Sequence, residues 1–352
     1  MNKYSRYWHW LLFGTTLFIV PPNSEAQIGG NSTYDFLNIP VSARVAALGG
    51  NVICVKDDDV NLSLQNPSLL NSSMNNQLAM NYVNYLAGTN FGNVIYCKDY
   101  DSIGTFSVGM QFFNYGKFIE ADPNGNITGQ FEAGEYSLNL GYSRQLDSNF
   151  SVGANLKTIY SSLANYTSFG SAIDLGATYN NVQKRYTIAA VIQNMGIEWK
   201  PYVKGDREPL PFEMQMGISK KLKHAPFRFS IIAQHLQKWD LTYADSVTTN
   251  PLTQDTVKKN KAQVFGDKLM RHVVIGTEFL ITKNFNLRAG FDYERRAELE
   301  AAARPGMAGF SFGFGLRIFK FQLSYGRAVY NIAGGTNQFS ISTNMSDFYS
   351  KN

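Results

Sequence analysis

From about residue 77 onward this chain alternates apolar and polar residues with period two, segment after segment. That pattern leaves little to fold into except β-strands with one oily face. Between residues 135 and 144, Tyr136, Leu138, Leu140 and Tyr142 share one face, and Glu135, Ser137, Asn139, Gly141 and Ser143 the other. Phe150, Val152, Ala154 and Leu156 repeat the pattern opposite Ser151, Gly153, Asn155 and Lys157. The same period runs through residues 106–112, 173–179, 186–192, 212–218, 227–233, 273–279, 285–293, 310–318 and 321–325. Fainter repeats at 78–85, 91–97 and 336–343 bring the expected strands to fourteen.

A soluble sandwich could carry amphipathic strands too, and the connections decide against it. Tight links at 99–101, 147–149, 180–184, 224–226, 282–284 and 319–320 alternate with longer ones at 113–133, 161–168, 194–210, 238–270, 295–307 and 329–335. Transmembrane β-barrels have this asymmetry, with short turns on the periplasmic side and long loops outside. An even strand number leaves both termini on the short-turn side. Composition agrees: 14% of residues are aromatic and 17% charged, while mean hydropathy is −0.22. Past the first two dozen residues no apolar run approaches the ~20 residues of a spanning helix. The expectation is an all-β fold, a 14-stranded antiparallel transmembrane barrel in a bacterial outer membrane. A net charge of +5, scattered along the chain, gives no footprint for nucleic acid.

The first residues read as an address. Lys3 and Arg6 precede an apolar stretch from Trp8 to Val20, Pro21 and Pro22 break it, and Ser24-Glu25-Ala26 sets small residues before a cut between Ala26 and Gln27. This is the grammar of a secretory signal peptide, 1–26. Residues 27–76 lack the strand pattern yet carry too many apolar groups for an exposed tail. A fourteen-strand barrel needs filling, since about eight strands already exhaust what wall side chains can pack. The segment 27–76 is therefore expected as a hatch in the lumen of the barrel 77–352.

The hatch also carries a resemblance. Ala46-Ala47-Leu48-Gly49-Gly50-Asn51, then Asp57-Asp58-Asp59, then Asn66-Pro67-Ser68 in Leu64–Leu70 resemble the hatch opening of FadL-like outer-membrane barrels. They are most similar to the Bacteroidetes branch, the PorV/PorQ proteins of the type IX secretion system, and residues 30–37 look more like the PorQ members. The resemblance covers the hatch closely and the barrel by architecture. It implies membership of the cell-surface attachment complex, with PorU, PorV and PorZ as partners, near where cargo is joined to lipopolysaccharide. The chain departs from many such barrels at its end, where Ser350, Lys351 and Asn352 follow the aromatic pair Phe348-Tyr349.

Chemistry is hard to find. Gly309-Phe310-Ser311-Phe312-Gly313 matches the G-x-S-x-G elbow, but it lies inside an alternating strand where the required strand-to-helix turn is missing. His224, His235 and His272 have no spacing for a metal, and the two histidines flanking the longest loop are expected as solvated rim residues. Asp57-Asp58-Asp59 lacks the spacing of a calcium loop. No enzyme activity, cofactor or metal is expected. Cys54 and Cys97 could form a hatch-to-wall disulfide in an oxidising periplasm, or could stay apart, since sequence does not fix their separation. Inward acids at Glu135, Asp174, Glu213, Glu278 and Asp292 face bases at Lys157, Arg228, Arg288 and Arg317. Both signs suit a paired lumen holding a plug better than the one-sign ring of a selective pore. In the longest connection, Trp239, Tyr243, Phe265 and Met270 are candidate anchors for a partner, or parts of a lid over the barrel mouth. Docking of secretion partners is the leading expectation. The alternative is a transporter of hydrophobic small molecules, as other FadL-like barrels are.

Overall fold

The computed structural model describes residues 32–85, 88–242, 260–299, 306–331 and 334–349. The cleavage pair Ala26 and Gln27, and the candidate anchor Tyr243, lie outside the described residues.

Fourteen antiparallel strands follow in order and close on themselves. They are β1 (Gln77–Asn84), β2 (Asn90–Asp99), β3 (Thr105–Ala121), β4 (Ile127–Gln145), β5 (Phe150–Leu163), β6 (Tyr166–Asn181) and β7 (Tyr186–Lys200). The second half comprises β8 (Glu213–Lys221), β9 (Phe227–Ala233), β10 (Val273–Phe279), β11 (Phe285–Asp292), β12 (Phe310–Ile318), β13 (Phe321–Asn331) and β14 (Gly334–Asn344). Closure comes from β1 pairing with β14, Gln77 opposite Asn344. No edge is then left in the wall, as hydrocarbon requires of a spanning sheet.

The alternation read from the sequence sets the two faces. On β4, Leu138 and Leu140 are exposed while Glu135, Ser137 and Asn139 are buried. Met80, Val94, Met110, Leu156 and Phe312 continue the outward apolar band on other strands. Water gives such a continuous oily belt no partner, and a bilayer does.

The connections differ from expectation. Residues 113–133, expected as a loop, are mostly strand: β3 and β4 run on for 17 and 19 residues and meet in a short turn at 122–126. A span needs only ~9–11 residues. Residues 161–168 and 329–335 likewise lie largely within the hairpins β5–β6 and β13–β14, and β7 extends to Lys200. Main-chain pairing to the partner strand satisfies polar backbone groups that an open loop would leave to water, so the hairpins continue past the wall. The longest connection also has structure, a helix α2 at Lys261–Arg271 that its Asn260 capping box starts.

Residues 32–76 lie against the inner face of the wall. They contain a short helix α1 (Ala43–Ala47) and single 3-10 turns at Asp35–Asn38, Val60–Leu64, Pro67–Leu69 and Ser72–Met74. Inward glycines on three neighbouring strands make room for α1 and the turn that follows it. A Cβ at Gly326 would strike the Ala43 carbonyl, one at Gly313 would meet the Ala47 methyl at 2.6 Å, and one at Gly290 would strike the Gly49 amide. Interiors packed this closely have no slack for an added methyl.

Candidate functional site

Three features of this interior could carry function: the clamp between hatch and wall, the mouth at the short-turn end, and the apparatus standing above the other end.

The clamp is built around Arg44, a cation in an otherwise apolar helix and 5% exposed. Its guanidinium reaches Asp57 at 2.7 Å, Asp59 at 3.1 Å and Glu278 of β10 at 3.0 Å. Arg228 of β9 joins Asp57 and Glu278, both at 2.9 Å, and Arg288 of β11 meets Glu278 at 3.3 Å. Burial alone would raise the Asp57 carboxyl, but Arg44 and Arg228 hold it far below the usual carboxylate range. Burial disfavours the Arg44 charge too, and Asp57, Glu278 and Asp59 outweigh it. Three guanidiniums and three carboxylates thus neutralise one another, with one end in the hatch and the other in the wall. Asp57 and Asp59 of the acidic run serve this cluster.

The Asn66-Pro67-Ser68 step grips the opposite wall. Asn66 caps the 3-10 turn by accepting from the Ser68 amide at 3.0 Å, and Pro67 takes the first position, where no amide is needed. Its Nδ2 donates to the Ile53 carbonyl at 2.8 Å and to Thr178 of β6 at 3.2 Å. Ser68 shares a hydrogen bond with Thr178 at 2.7 Å, and Ser151 of β5 donates to the Ser68 carbonyl at 2.8 Å. Gly49 and Gly50 turn the chain through left-handed φ of +104° and +106°, a conformation side chains rarely adopt. Gly50 sits under the guanidinium of Arg295, which donates to the Gly49 carbonyl at 2.8 Å.

The cysteines do not pair. Cys54 packs with Ala189, Val191, Ile232 and Val274 of β7, β9 and β10, and Cys97 lies on β2 among Val60, Leu70, Met74 and Ile95. The hatch carries Cys54 to the far side of the lumen, so both thiols are free and buried. Burial pushes the Cys54 thiol up to about 12.

At the long-connection end, Trp239 is half exposed and lies 5.7 Å from both Phe265 of α2 and His272. Met270 is exposed on the same helix. Asp240 and Lys268 tie the helix to the strand exit at 2.5 Å. His272 corrects the expectation of a solvated rim histidine: it is 4% exposed, with Nδ1 2.8 Å from the Gln234 carbonyl oxygen. His235 also has partners, Glu294 at 3.2 Å and Glu213 at 3.6 Å. Burial would lower its pKa, but these carboxylates raise it to about 9. Glu294 lies on a second short helix, α3 (Tyr293–Leu299).

Above this end stands the β3–β4 ribbon. β2 pairs with β3 only as far as Asn114, and β5 pairs with β4 only up to Ala133. Beyond them the ribbon pairs with itself and projects about 20 Å at the usual strand rise. Phe118 and Phe131 stack at 5.2 Å on it, and Ile119 and Ile127 are 64% and 72% exposed. Sequence reasoning passed over this element, although the turn signature Asp122-Pro123-Asn124-Gly125 between apolar residues marked it. It also passed over Arg44, whose signal was a lone charge in an apolar run.

No family model matches the chain, and no curated protein does. Solved structures do. The toluene transporter TbuX of Ralstonia pickettii matches over 88% of this chain and 99% of its own, at 12% identity and a TM-score of 0.52. The toluene transporter TodX of Pseudomonas putida matches over 86% and 96%, at 13% identity and a TM-score of 0.50. The fold is FadL-like. At these identities the likeness is one of architecture. Within this FadL-like barrel, the aromatic cluster of Tyr34, Phe36, Phe91 and Phe113 fills the lumen below the ribbon, Phe91 stacked on Phe113 at 4.9 Å.

Proposed function

We propose that this chain is a non-enzymatic outer-membrane barrel that anchors surface partners of the type IX secretion system's attachment complex. The observation that carries this reading is the β3–β4 ribbon, an apolar surface held on paired strands well beyond the length a membrane needs. Phe118, Ile119 and Ile127 are exposed there, apolar groups that a partner could bury. Trp239, Phe265 and Met270 add a second apolar patch at the same end. The hatch below, fastened by ions on one side and by Asn66 and Ser68 on the other, suits a scaffold better than an open passage. The partners, by resemblance of the hatch motifs, are PorU, PorV and PorZ, close to lipopolysaccharide.

A second reading, transport of a hydrophobic small molecule, has the shared fold with TbuX and TodX in its favour. The aromatic cluster between hatch and wall would then line the entry. Mild detergent extraction separates the two readings. Affinity-purified chain should co-isolate PorU or PorZ, identified by mass spectrometry. Recovery of a stoichiometric hydrophobic compound in the organic extract, without those proteins, would select the transporter.

A further inference from the structure

The clamp between hatch and wall opens at the short-turn end into a cavity of about 630 Å³. Arg44, Arg228, Arg288, Asp57 and Glu278 form its inner wall and already neutralise one another with Asp59. Its mouth is different. Lys221, Lys283 and Arg317 line it, all exposed and none with a carboxylate partner among the described residues. An adjoining cavity of about 150 Å³ shares Asp58, Arg317 and Gln322 with the first and adds Lys320, whose ammonium also donates to the Asp347 carbonyl at 2.6 Å. Against these four cations the mouth offers one opposing acid, Asp58. The excess of positive charge rims a concave recess, where a field is focused rather than dispersed.

The floor carries unfilled hydrogen-bonding capacity. Arg288 is 4% exposed, and its Nε and Nη1 are used by Glu278 and Ser324. Its Nη2 has no partner among the described residues. Beside it the side-chain oxygen of Asn286 is buried without a donor. Gly315 keeps the pair open: a Cβ there would lie 2.7 Å from the Asn286 oxygen and 2.9 Å from Arg288 Nη2. A buried group left unmatched has lost its water without a replacement, so a ligand that satisfies both is favoured. Arg288 wants an anionic oxygen and Asn286 wants an N–H or O–H. A hydrogen phosphate ion could meet both, but it fills little of a cavity of about 630 Å³ whose cations run from floor to mouth. A peptide with acidic side chains supplies both, carboxylates for the cations and backbone N–H for Asn286.

We propose that this cavity binds an acidic peptide segment of another protein, Arg288 and Asn286 receiving it at the floor and Lys221, Lys283, Arg317 and Lys320 at the mouth. The docking reading puts the long hairpins outside the cell, and on that reading the short-turn end faces the periplasm and the partner is periplasmic. Binding itself is independent of that orientation.

The test is fluorescence anisotropy of labelled hexaglutamate titrated with the full chain in detergent micelles, with hexaglutamine as the neutral control. The double variant Arg317→Gln/Lys283→Gln alters two exposed residues, and its folding is checked by heat-modifiable migration. Lys117→Gln, on the ribbon at the opposite end, controls for loss of charge alone. We expect saturable binding of hexaglutamate only, weakened at least tenfold in the double variant and unchanged in Lys117→Gln. No binding, or equal binding by the double variant, overturns the proposal. Displacement by inorganic phosphate at the peptide's own concentration also overturns it and makes the cavity a phosphate site. No secretion partner enters the assay, so its failure leaves the docking reading standing, and failed capture of surface partners leaves this cavity's result intact.

Discussion

Arg44 is the residue on which the hatch depends most. A buried guanidinium that holds three carboxylates adds little net stability when intact, because desolvation offsets the attraction. Its removal is another matter. Arg44→Ala leaves Asp57, Asp59 and Glu278 with only the two wall arginines, and loss of one partner of a buried ion pair costs about 3–5 kcal/mol. Urea unfolding of the chain in lipid vesicles should show that loss, whereas Lys117→Ala, in an exposed pair with Glu132 at 3.4 Å, should change nothing measurable. The pH dependence divides between two groups. Asp57 has a depressed folded-state pKa, so its contribution is present above the ordinary carboxylate value and lost only in strong acid, leaving neutral pH flat. His235 has a raised one. Its contribution is full below 6.5 and lost as pH rises through about 9. Hydrogen-exchange protection factors in α3, which carries Glu294, corrected for the intrinsic pH dependence of exchange, should therefore fall between pH 7 and 10, and His235→Asn should remove that fall. A fall that persists in the variant would assign it to another group.

At the scale of elements, β4 passes through two environments. Leu138 faces outward within the wall, and Ile127 faces outward on the ribbon. Leu138→Arg should cost on the order of 2–4 kcal/mol in vesicle folding, since hydrocarbon cannot solvate a guanidinium near midplane. Ile127→Arg should cost almost nothing, because water already surrounds it. Equal costs would place the ribbon in the membrane. The barrel part of this strand was legible because a period of two states directly which side chain faces which way. The ribbon was harder to see. Register shifts between Asn114 and Gly116, a bulge that breaks the alternation, and polar Asn114, Lys117 and Glu120 disguise the continuing strand. The hatch was legible as something that must fill a wide barrel and by the motifs it shares with FadL-like hatches, but its path was not. Its course depends on contacts between residues far apart in sequence, such as Arg44 with Glu278 and Asn66 with Thr178. No local pattern encodes those pairs, and the same lack left Cys54 and Cys97 open to pairing until their positions across the lumen were seen.

For the whole molecule, a hatch fastened to both sides of the lumen and a ribbon with exposed apolar residues outside it divide the labour. On the proposed docking reading the barrel supplies an anchor, the hatch braces it, and recognition falls to the elements that project. The most direct test removes the ribbon alone. Gly116 pairs with Ala133, so residues 117–132 can be replaced by a two-residue Asn-Gly turn without touching a wall strand. Heat-modifiable migration should remain, because the closed wall keeps every ladder below Asn114. Capture of PorU and PorZ from solubilised outer membranes, quantified against the intact chain, should fall at least tenfold. Undiminished capture by the ribbonless barrel would contradict the account.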